Sequence, residues 1–224
     1  MRKVIVFNGS PNTNKSNTNV IVEAFLEGAR LSGAETENIF LIEKNINHCK
    51  GCFSCWFKTP GKCVFNDDMK CLIEKYNNAD IVCFATPVYT WNMTAVLKNF
   101  VDRLLPLKSP ILTEKNGNFD LENNIPKTQQ FVVISNSGFP GENNFKTMKE
   151  VFKSCNPVLE IYRNSGKLLT SKNEKIKKLV ENYLKYVKLA GYEVVNENKI
   201  SENTQINLEK DLITQEEYIK YIGM

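Results

Sequence analysis

The sequence predicts an α/β fold in which helices cover both faces of a doubly wound, five-stranded parallel sheet. Three observations predict it. Short β-branched runs alternate with segments of helical spacing over most of the chain. Most of these runs are apolar throughout, as is typical of strands that a parallel sheet buries on both faces. Small polar residues follow three of the runs, at the edge where such sheets bind ligands.

Five segments carry the strand pattern. The first, KVIVF, and the third, DIVCFATP, are nearly unbroken apolar runs, and Pro87 ends the third. The second, ETENIFLI, alternates polar and apolar residues. The predicted strands span 3–7, 35–42, 80–87, 129–138 and 157–163. Five parallel strands in a chain of this length fit the flavodoxin-like arrangement.

The segments between and after the strands have apolar residues at helical spacing. The predicted helices span 17–32, 68–79, 93–105, 144–155 and 172–190. We therefore expect one domain over residues 1–190. Residues 106–127 are polar and contain Gly and Pro, which predicts an insertion or long loop. Residues 191–224 form a C-terminal extension, in which residues 212–222 have near-helical spacing.

Composition and charge exclude several classes of protein. The 224 residues, 42% of them hydrophobic, suffice for one core. The net charge of +4 comes without a basic run, so we expect no nucleic-acid partner. The apolar runs are too short to span a membrane, and a first strand at Lys3 leaves no room for a signal peptide. We therefore expect a cytoplasmic protein whose seven cysteines are reduced thiols, metal ligands or redox groups.

The first loop, NGSPNTNKSNTN (residues 8–19), lies between a predicted strand and a predicted helix. Free amides and the dipole at a helix N-terminus attract an anion. Short neutral donors add to this attraction, and they are Ser10, Asn12, Ser16, Asn17 and Thr18. The simpler interpretation is that Ser16 or Asn17 only caps the helix, although capping needs a single residue. The loop therefore predicts a phosphate site.

The same loop differs at one residue, Asn14, from the nucleotide-binding pattern G-x-x-x-x-G-K-[ST]. A nucleotide hydrolase would use Lys15 and Ser16, together with an acidic residue that helps to hold Mg²⁺. The candidate strands end in FATP and VISNSG, without Asp. The sequence therefore favours a single phosphate over a triphosphate, with the hydrolase kept as an alternative.

The second loop and its helix, TPVYTWNMTAVLKNFVDR (residues 86–103), predict a site for a planar ring. Tyr89 and Trp91 can flank an aromatic ring, and the amides from Val88 to Met93 can bond its polar edge. The alternative is that both aromatic residues belong to the core beside a turn. The neighbouring phosphate loop favours the ring site.

These segments together resemble the flavodoxin-like NAD(P)H-dependent FMN reductases and, within them, the iron–sulfur flavoproteins. The first loop is similar to the family's FMN phosphate loop, residues 86–103 to its isoalloxazine loop, and NSGFPGENNF (residues 136–145) to its third loop. The resemblance covers residues 1–190 and implies that three strand ends bind FMN. The implied FMN contacts are Ser10, Asn12, Ser16, Asn17, Thr18, Pro87, Val88, Tyr89, Trp91, Asn92, Met93, Asn136, Ser137 and Gly138.

The resemblance implies an NAD(P)H oxidoreductase whose chemistry is carried by the flavin, without a catalytic side chain. The expected acceptor is a quinone, a flavin, a nitro compound or another small molecule or redox protein. A homodimer or homotetramer is implied as well, with residues 106–127 and 191–224 as candidate contacts. The alternative for residues 212–222 is a short helix that docks on its own chain. A flavin-binding sensor without turnover is a further alternative.

The cysteine segment (residues 48–66) holds Cys49, Cys52, Cys55 and Cys63 in the spacing C-x2-C-x2-C-x7-C. It resembles the cysteine motif of the iron–sulfur flavoproteins, so a [4Fe–4S] cluster is one interpretation. In that case the protein would be an electron carrier with FMN and a cluster, without direct use of NAD(P)H. Zinc is another interpretation, and a packed loop of thiols without metal is the one that we favour.

Overall fold

In the computed structural model, which describes residues 1–115, 117–126 and 128–223, a five-stranded parallel sheet lies in the middle of the molecule. The strands are β1 Lys3–Asn8, β2 Glu35–Phe40, β3 Ile81–Pro87, β4 Lys108–Lys115, β5 Asn118–Asn123, β6 Gln130–Asn136 and β7 Leu159–Arg163. The order across the sheet is β2-β1-β3-β6-β7, with all neighbours parallel. This order confirms the predicted doubly wound sheet.

Helices cover both faces of the sheet. They are α1 Asn17–Leu31, α2 Ser54–Phe57, α3 Met69–Asn77, α4 Ala95–Asp102, α5 Lys146–Phe152, α6 Glu174–Glu197, α7 Glu202–Glu209 and α8 Gln215–Ile222. One core joins the sheet to α1, α6, α7 and α8, and the other joins it to α3, α4 and α5. The central strands β1, β3 and β6 are buried from both sides, which explains their unbroken apolar runs.

Two glycines allow α1 and α6 to cross at close range. A Cβ atom on Gly28 would lie 1.8 Å from the carbonyl oxygen of Lys188, and one on Gly191 would lie 2.1 Å from that of Phe25. Any larger side chain would therefore push the helices apart. The crossing packs the C-terminal half of α1 directly against α6.

Two segments differ from the sequence-based expectation. Residues 106–127, predicted as an insertion or long loop, contain the antiparallel hairpin of β4 and β5 and so are not a loop throughout, while Asn116 and Lys127 lie outside the described residues. The predicted domain limit at residue 190 falls inside α6, which continues to Glu197. The helix continues because its apolar face stays buried at Val194 and Val195.

The C-terminal extension folds back onto its own chain. Tyr218 on α8 is fully buried, and Leu208 on α7 is nearly so. The buried guanidinium of Arg163, at the end of β7, donates hydrogen bonds to the carbonyl groups of Leu208 and Lys210. The extension therefore adds to the core beside α6.

Within the described residues, no helix is both long enough and apolar enough to cross a membrane.

Candidate functional site

A cavity of about 580 Å³ opens at the carboxyl ends of β1, β3 and β6. Its walls are the first loop, the second loop (residues 86–93) and the third loop (residues 136–145). Of the predicted contact residues, those that line this main cavity are Ser10, Asn12, Ser16, Asn17, Thr18, Pro87, Val88, Tyr89, Trp91, Asn136, Ser137 and Gly138. The topology brings the three loops together because carboxyl ends of parallel strands share one edge.

The first loop both caps a helix and leaves amides for a ligand. The Ser16 hydroxyl accepts a hydrogen bond from the amide of Asn19 at 3.0 Å, so this residue is the N-cap of α1. The amides of Asn17 and Thr18 lie in the first turn and donate to no group in the described part of the chain. Capping and anion binding are therefore compatible, and the helix dipole adds to the second.

The threonine that follows the second loop fixes the first loop. The Thr94 hydroxyl donates to the carbonyl of Gly9 at 2.7 Å and accepts from the amide of Leu97, where it caps α4. Gly9 sits so close to α4 that an added Cβ would lie 2.6 Å from the Leu97 Cβ. The following residue, Ser10, is buried, and its amide donates to the Asn8 side chain. The loop is thus held in place before any ligand binds.

The second loop ends in a two-residue hairpin turn. The backbones of Tyr89 and Asn92 exchange both hydrogen bonds, at 2.9 and 3.1 Å. Between them Thr90 and Trp91 both have positive φ, 48° and 60°, which is unfavourable for a β-branched and for a bulky residue. The turn leaves the rings of Tyr89 and Trp91 51% and 60% exposed at the cavity mouth.

Two predicted residues of the second loop do not line the main cavity. The Met93 side chain is buried in the core, and its amide donates to the Asn92 side chain at 2.8 Å. The Asn92 amide is used within the turn, and the Val88 amide donates to the carbonyl of Asn136. The expectation of free amides from Val88 to Met93 therefore holds only for Thr90 and Trp91. The other amides of this segment already donate hydrogen bonds within the described residues.

The third loop is tied to the first by a buried hydrogen bond. The Asn136 side chain donates to the Thr18 hydroxyl at 2.6 Å. A Cβ on Gly166 would lie 2.7 Å from the Asn136 carboxamide oxygen, so the chain after β7 passes directly behind this contact. Thr18 and Asn136 thus hold two cavity walls together.

The sequence analysis missed several lining residues. They are Lys15, Thr90, Phe139, Asn144, Lys167 and Thr170. Lys15 had been considered only for triphosphate chemistry, and Lys167 and Thr170 follow β7, where no motif points to a site. The two lysines are the charged side chains of the lining, which has no carboxylate within the described residues. The lining therefore favours an anion and offers no acidic ligand for Mg²⁺, so it does not support the nucleotide hydrolase.

The four cysteines of the cysteine segment line a second, narrower pocket, the cysteine cleft, beside the start of β4. Cys49 and Cys52 are exposed, Cys55 is buried and Cys63 is half-buried. Among the described residues, no three His, Cys, Asp or Glu side chains are arranged to hold a single metal ion. This geometry does not favour zinc.

A buried ion pair supports the cysteine cleft. Arg103, just after α4, binds both carboxylate oxygens of Asp67 at 2.8 and 3.0 Å, and donates to the Cys63 sulfur at 3.4 Å. Both side chains of the pair are almost completely buried. Burial opposes the ionisation of Asp67, but hydrogen bonds from Arg103 and Asn47 outweigh it and lower the pKa of its carboxyl to about 2. The pair is therefore ionised at neutral pH.

The thiols of the cleft differ in their environments. Hydrogen bonds from the side chain and backbone of Ser54 lower the pKa of Cys52. Burial, together with the neighbouring cysteines, raises the pKa of Cys55. Cys52 is therefore the more readily ionised of these two thiols.

The comparisons with known proteins agree with this geometry. A sequence model of a family described as NADPH-dependent FMN reductase matches residues 2–118. Over 116 residues the chain is 39% identical to an iron–sulfur flavoprotein of Archaeoglobus fulgidus, which covers 51% of this chain and 51% of that protein. The chain thus spans about half the length of the curated relative that it matches.

Two solved structures share the fold. An FMN-dependent NADH-azoreductase from Bacillus anthracis, in complex with FMN, superposes with a TM-score of 0.62 at 16% identity over 88% of this chain and 100% of that one. An NAD(P)H:quinone oxidoreductase from Methanothermobacter marburgensis superposes with a TM-score of 0.62 at 16% identity over 87% and 96%. These likenesses confirm the predicted flavodoxin-like fold.

Proposed function

The chain belongs to the NADPH-dependent FMN reductase family, as its sequence predicted, and from that premise we propose that it is an FMN-dependent NAD(P)H oxidoreductase. The electrons would pass to a quinone, a flavin, a nitro compound or another small acceptor. One observation carries this proposal: three loops at adjacent strand ends form a cavity with free amides, exposed aromatic rings and no carboxylate among its described residues.

The first loop fits the phosphate of FMN. The amides of Asn17 and Thr18 and the buried Ser10 hydroxyl are the donors that we assign to it, with Asn12 and Ser16 beside them. Lys15 and Lys167 stand at the rim and supply positive charge. A single phosphate needs no metal ion in such a site, which matches a lining whose described residues include no acidic side chain.

The second and third loops fit the flavin ring. Pro87, Val88, Tyr89 and Trp91 would lie along one side of it, and residues 136–138 along another edge. When bound, FMN takes up hydride from a nicotinamide and releases electrons to an acceptor. The chain's own residues would bind and orient both partners, and the exposed rings of Tyr89 and Trp91 leave the mouth open to a planar acceptor.

A charge reversal inside the first loop tests this function. Ser10→Asp would bring a carboxylate next to the phosphate, so we expect FMN binding and NAD(P)H oxidation to be lost together while the chain stays folded. Ser154→Asp makes the same change in charge at an exposed position away from the cavity and should leave both unchanged. A wild-type protein that is colourless and does not bind added FMN would refute the proposal.

A second candidate is an electron carrier in which the cysteine cleft holds a [4Fe–4S] cluster beside FMN. The observation that favours it is that all four thiols line one pocket, with Arg103 donating to the Cys63 sulfur. Four thiols are the ligands that such a cluster takes, and it would supply one-electron transfer. Iron and sulfide analysis after anaerobic purification tests this, with Cys55→Ser as the disrupting variant. Cys71→Ser, on α3 and outside the cleft, is the control.

We also propose that the protein is a homo-oligomer in which the β4–β5 hairpin meets a second copy. Leu112 and Phe119 on this hairpin are 71% and 73% exposed, and an isolated two-stranded hairpin is marginal in water. The C-terminal extension packs on its own chain, which leaves the hairpin as the better of the two predicted contacts. Leu112→Lys should reduce the mass measured by light scattering, whereas Leu31→Lys, an exposed leucine on α1, should not.

A further inference from the structure

The C-terminal helix α8 lies behind the third loop. Tyr218 is fully buried, and its hydroxyl donates to the carbonyl of Gly138 at 2.6 Å. Burial raises the pKa of this phenol, so it stays protonated and able to donate. No sequence motif assigns the C-terminal extension to the cavity.

The residues on either side of Gly138 are held by other bonds. The amide of Gly166 donates to the carbonyl of Ser137 at 2.7 Å, which fixes the peptide unit before Gly138. The carbonyl of Phe139 accepts from the amide of Ser165 at 3.0 Å. The residues on both sides of Gly138 are therefore hydrogen-bonded to the chain that follows β7.

Gly138 itself depends on Tyr218. A glycine has more backbone freedom than any other residue, so both flanking peptide units must be fixed to hold it in one conformation. The first is fixed by the Gly166 amide. The second is held at its amide, where Phe139 donates to the Ser137 hydroxyl at 3.1 Å, and at its carbonyl, where the Tyr218 hydroxyl supplies the one bond to another part of the described chain. The Gly138 amide then donates to no group of the described residues, although Gly138 lines the main cavity.

We propose that Tyr218 is a positioning residue of the flavin site, which holds the third loop so that the Gly138 amide and the Phe139 ring face the cavity. The inference rests on the proposed binding of FMN. It adds the C-terminal extension to that site, because α8 would hold a loop that lines the cavity. Because the third loop is assigned to the ring and not to the phosphate, Tyr218 should matter equally for FMN and for riboflavin.

The test compares Tyr218→Phe with Tyr221→Phe. Each change removes one hydroxyl from α8, and among the described residues the Tyr221 hydroxyl bonds to the side chain of Ser171, outside the lining. We expect Tyr218→Phe to raise the dissociation constants of FMN and riboflavin by the same factor, roughly three- to tenfold. Amide hydrogen exchange of Ser137 and Phe139, whose amides are hydrogen-bonded, should become faster in the flavin-free protein, and Tyr221→Phe should change neither quantity.

The outcomes separate this inference from the function on which it rests. Wild-type protein that binds neither flavin refutes the proposed function, while the exchange data still decide whether Tyr218 holds the loop. Wild-type binding with unchanged affinity in Tyr218→Phe refutes the positioning role, whatever the exchange data show. A loss for FMN alone refutes it as well, because the defect would then lie at the phosphate. Circular dichroism establishes that each variant is folded.

Discussion

Different interactions hold the main cavity and the cysteine cleft in place, although the two ends of α4 contribute to both. Thr94, the N-cap of α4, stands beside the main cavity and hydrogen-bonds the first loop. Arg103, the C-cap of the same helix, stands in the cysteine cleft and pairs with Asp67. The cavity is held by backbone and neutral side-chain hydrogen bonds, whereas the cleft is held by a buried pair of opposite charges.

This difference has a physical meaning. A site made of neutral donors can bind an anionic ligand without burying a charged side chain. The hydrogen bonds that hold its loops do not change with pH. A buried ion pair gives strong support only while both partners are present and ionised. The two regions should therefore respond differently to substitution and to acid, even though α4 joins them.

The largest expected effect is on the cleft. Asp67→Asn leaves the Arg103 guanidinium buried without a counter-charge, so we expect a loss of about 3–5 kcal/mol in the free energy of unfolding. Asp102→Asn, which breaks the exposed pair with Lys98 on α4, should cost no more than about 0.5 kcal/mol. Urea denaturation of both variants makes the measurement. Equal small losses would mean that the cleft does not depend on its ion pair.

Protonation of Asp67 at low pH should weaken the same ion pair and cost less stability than the substitution does. The pKa of Asp67 falls from an ordinary 3.8 to about 2 in the folded protein, so this carboxyl stabilises the fold above pH ~4. The contribution, about 2 kcal/mol, is lost as the pH falls from ~4 through ~2. Unfolding free energies measured against pH should show this loss in the wild type and lack it in Asp67→Asn. Identical acid profiles for the two proteins would contradict the assignment.

The main cavity should respond to shape. Gly9→Ala places a Cβ against α4, 2.6 Å from the Leu97 Cβ, so the first loop must move away. We expect FMN affinity to fall about tenfold, which corresponds to about 1.4 kcal/mol. Fluorescence titration measures the affinity. Gly33→Ala, at a turn where an added Cβ meets nothing but φ is 79°, strains the backbone away from the cavity; it controls for a general loss of stability and should leave FMN binding unchanged.

The smallest effect should come from the exposed charges at the cavity rim. Lys167→Met removes one positive charge near the proposed phosphate position, and we expect FMN affinity to fall roughly threefold at low salt. Riboflavin has no phosphate, so its affinity should not change. The difference should disappear as salt is added. A threefold loss for both ligands would instead assign Lys167 to the ring side of the cavity.

The sequence was sufficient for the sheet and for the grouping of the three loops. The apolar runs of β1, β3 and β6 predicted the buried strands, and the polar residues after them predicted the three loops that line the main cavity. Periodicity works there because each strand is buried on both sides and each helix has one buried face. It did not show that Asn92 and Met93 would be drawn away from the cavity, because the turn that does so depends on two residues with positive φ.

Other parts could not be predicted because they depend on contacts across the chain. Tyr218 and Lys167 reach the cavity region only because the C-terminal extension and the chain after β7 fold back on the sheet edge. Their local sequence carries no sign of it. The β4–β5 hairpin did have a sign, since Asn-Gly at residues 116–117 between alternating segments is a strong hairpin signal. The polar composition of residues 106–127 favoured a loop over a hairpin in the sequence analysis.

The hairpin turn at the cavity mouth sets the stability of the chain against the presence of the Trp91 ring. Asn-Gly would occupy two consecutive left-handed positions with little strain, so replacing Thr90 and Trp91 is an available route to a more stable chain. That replacement would also remove the indole ring from the entrance. Selection for stability alone would favour the swap, so the presence of Trp91 in this strained conformation is expected if its ring contributes to the site.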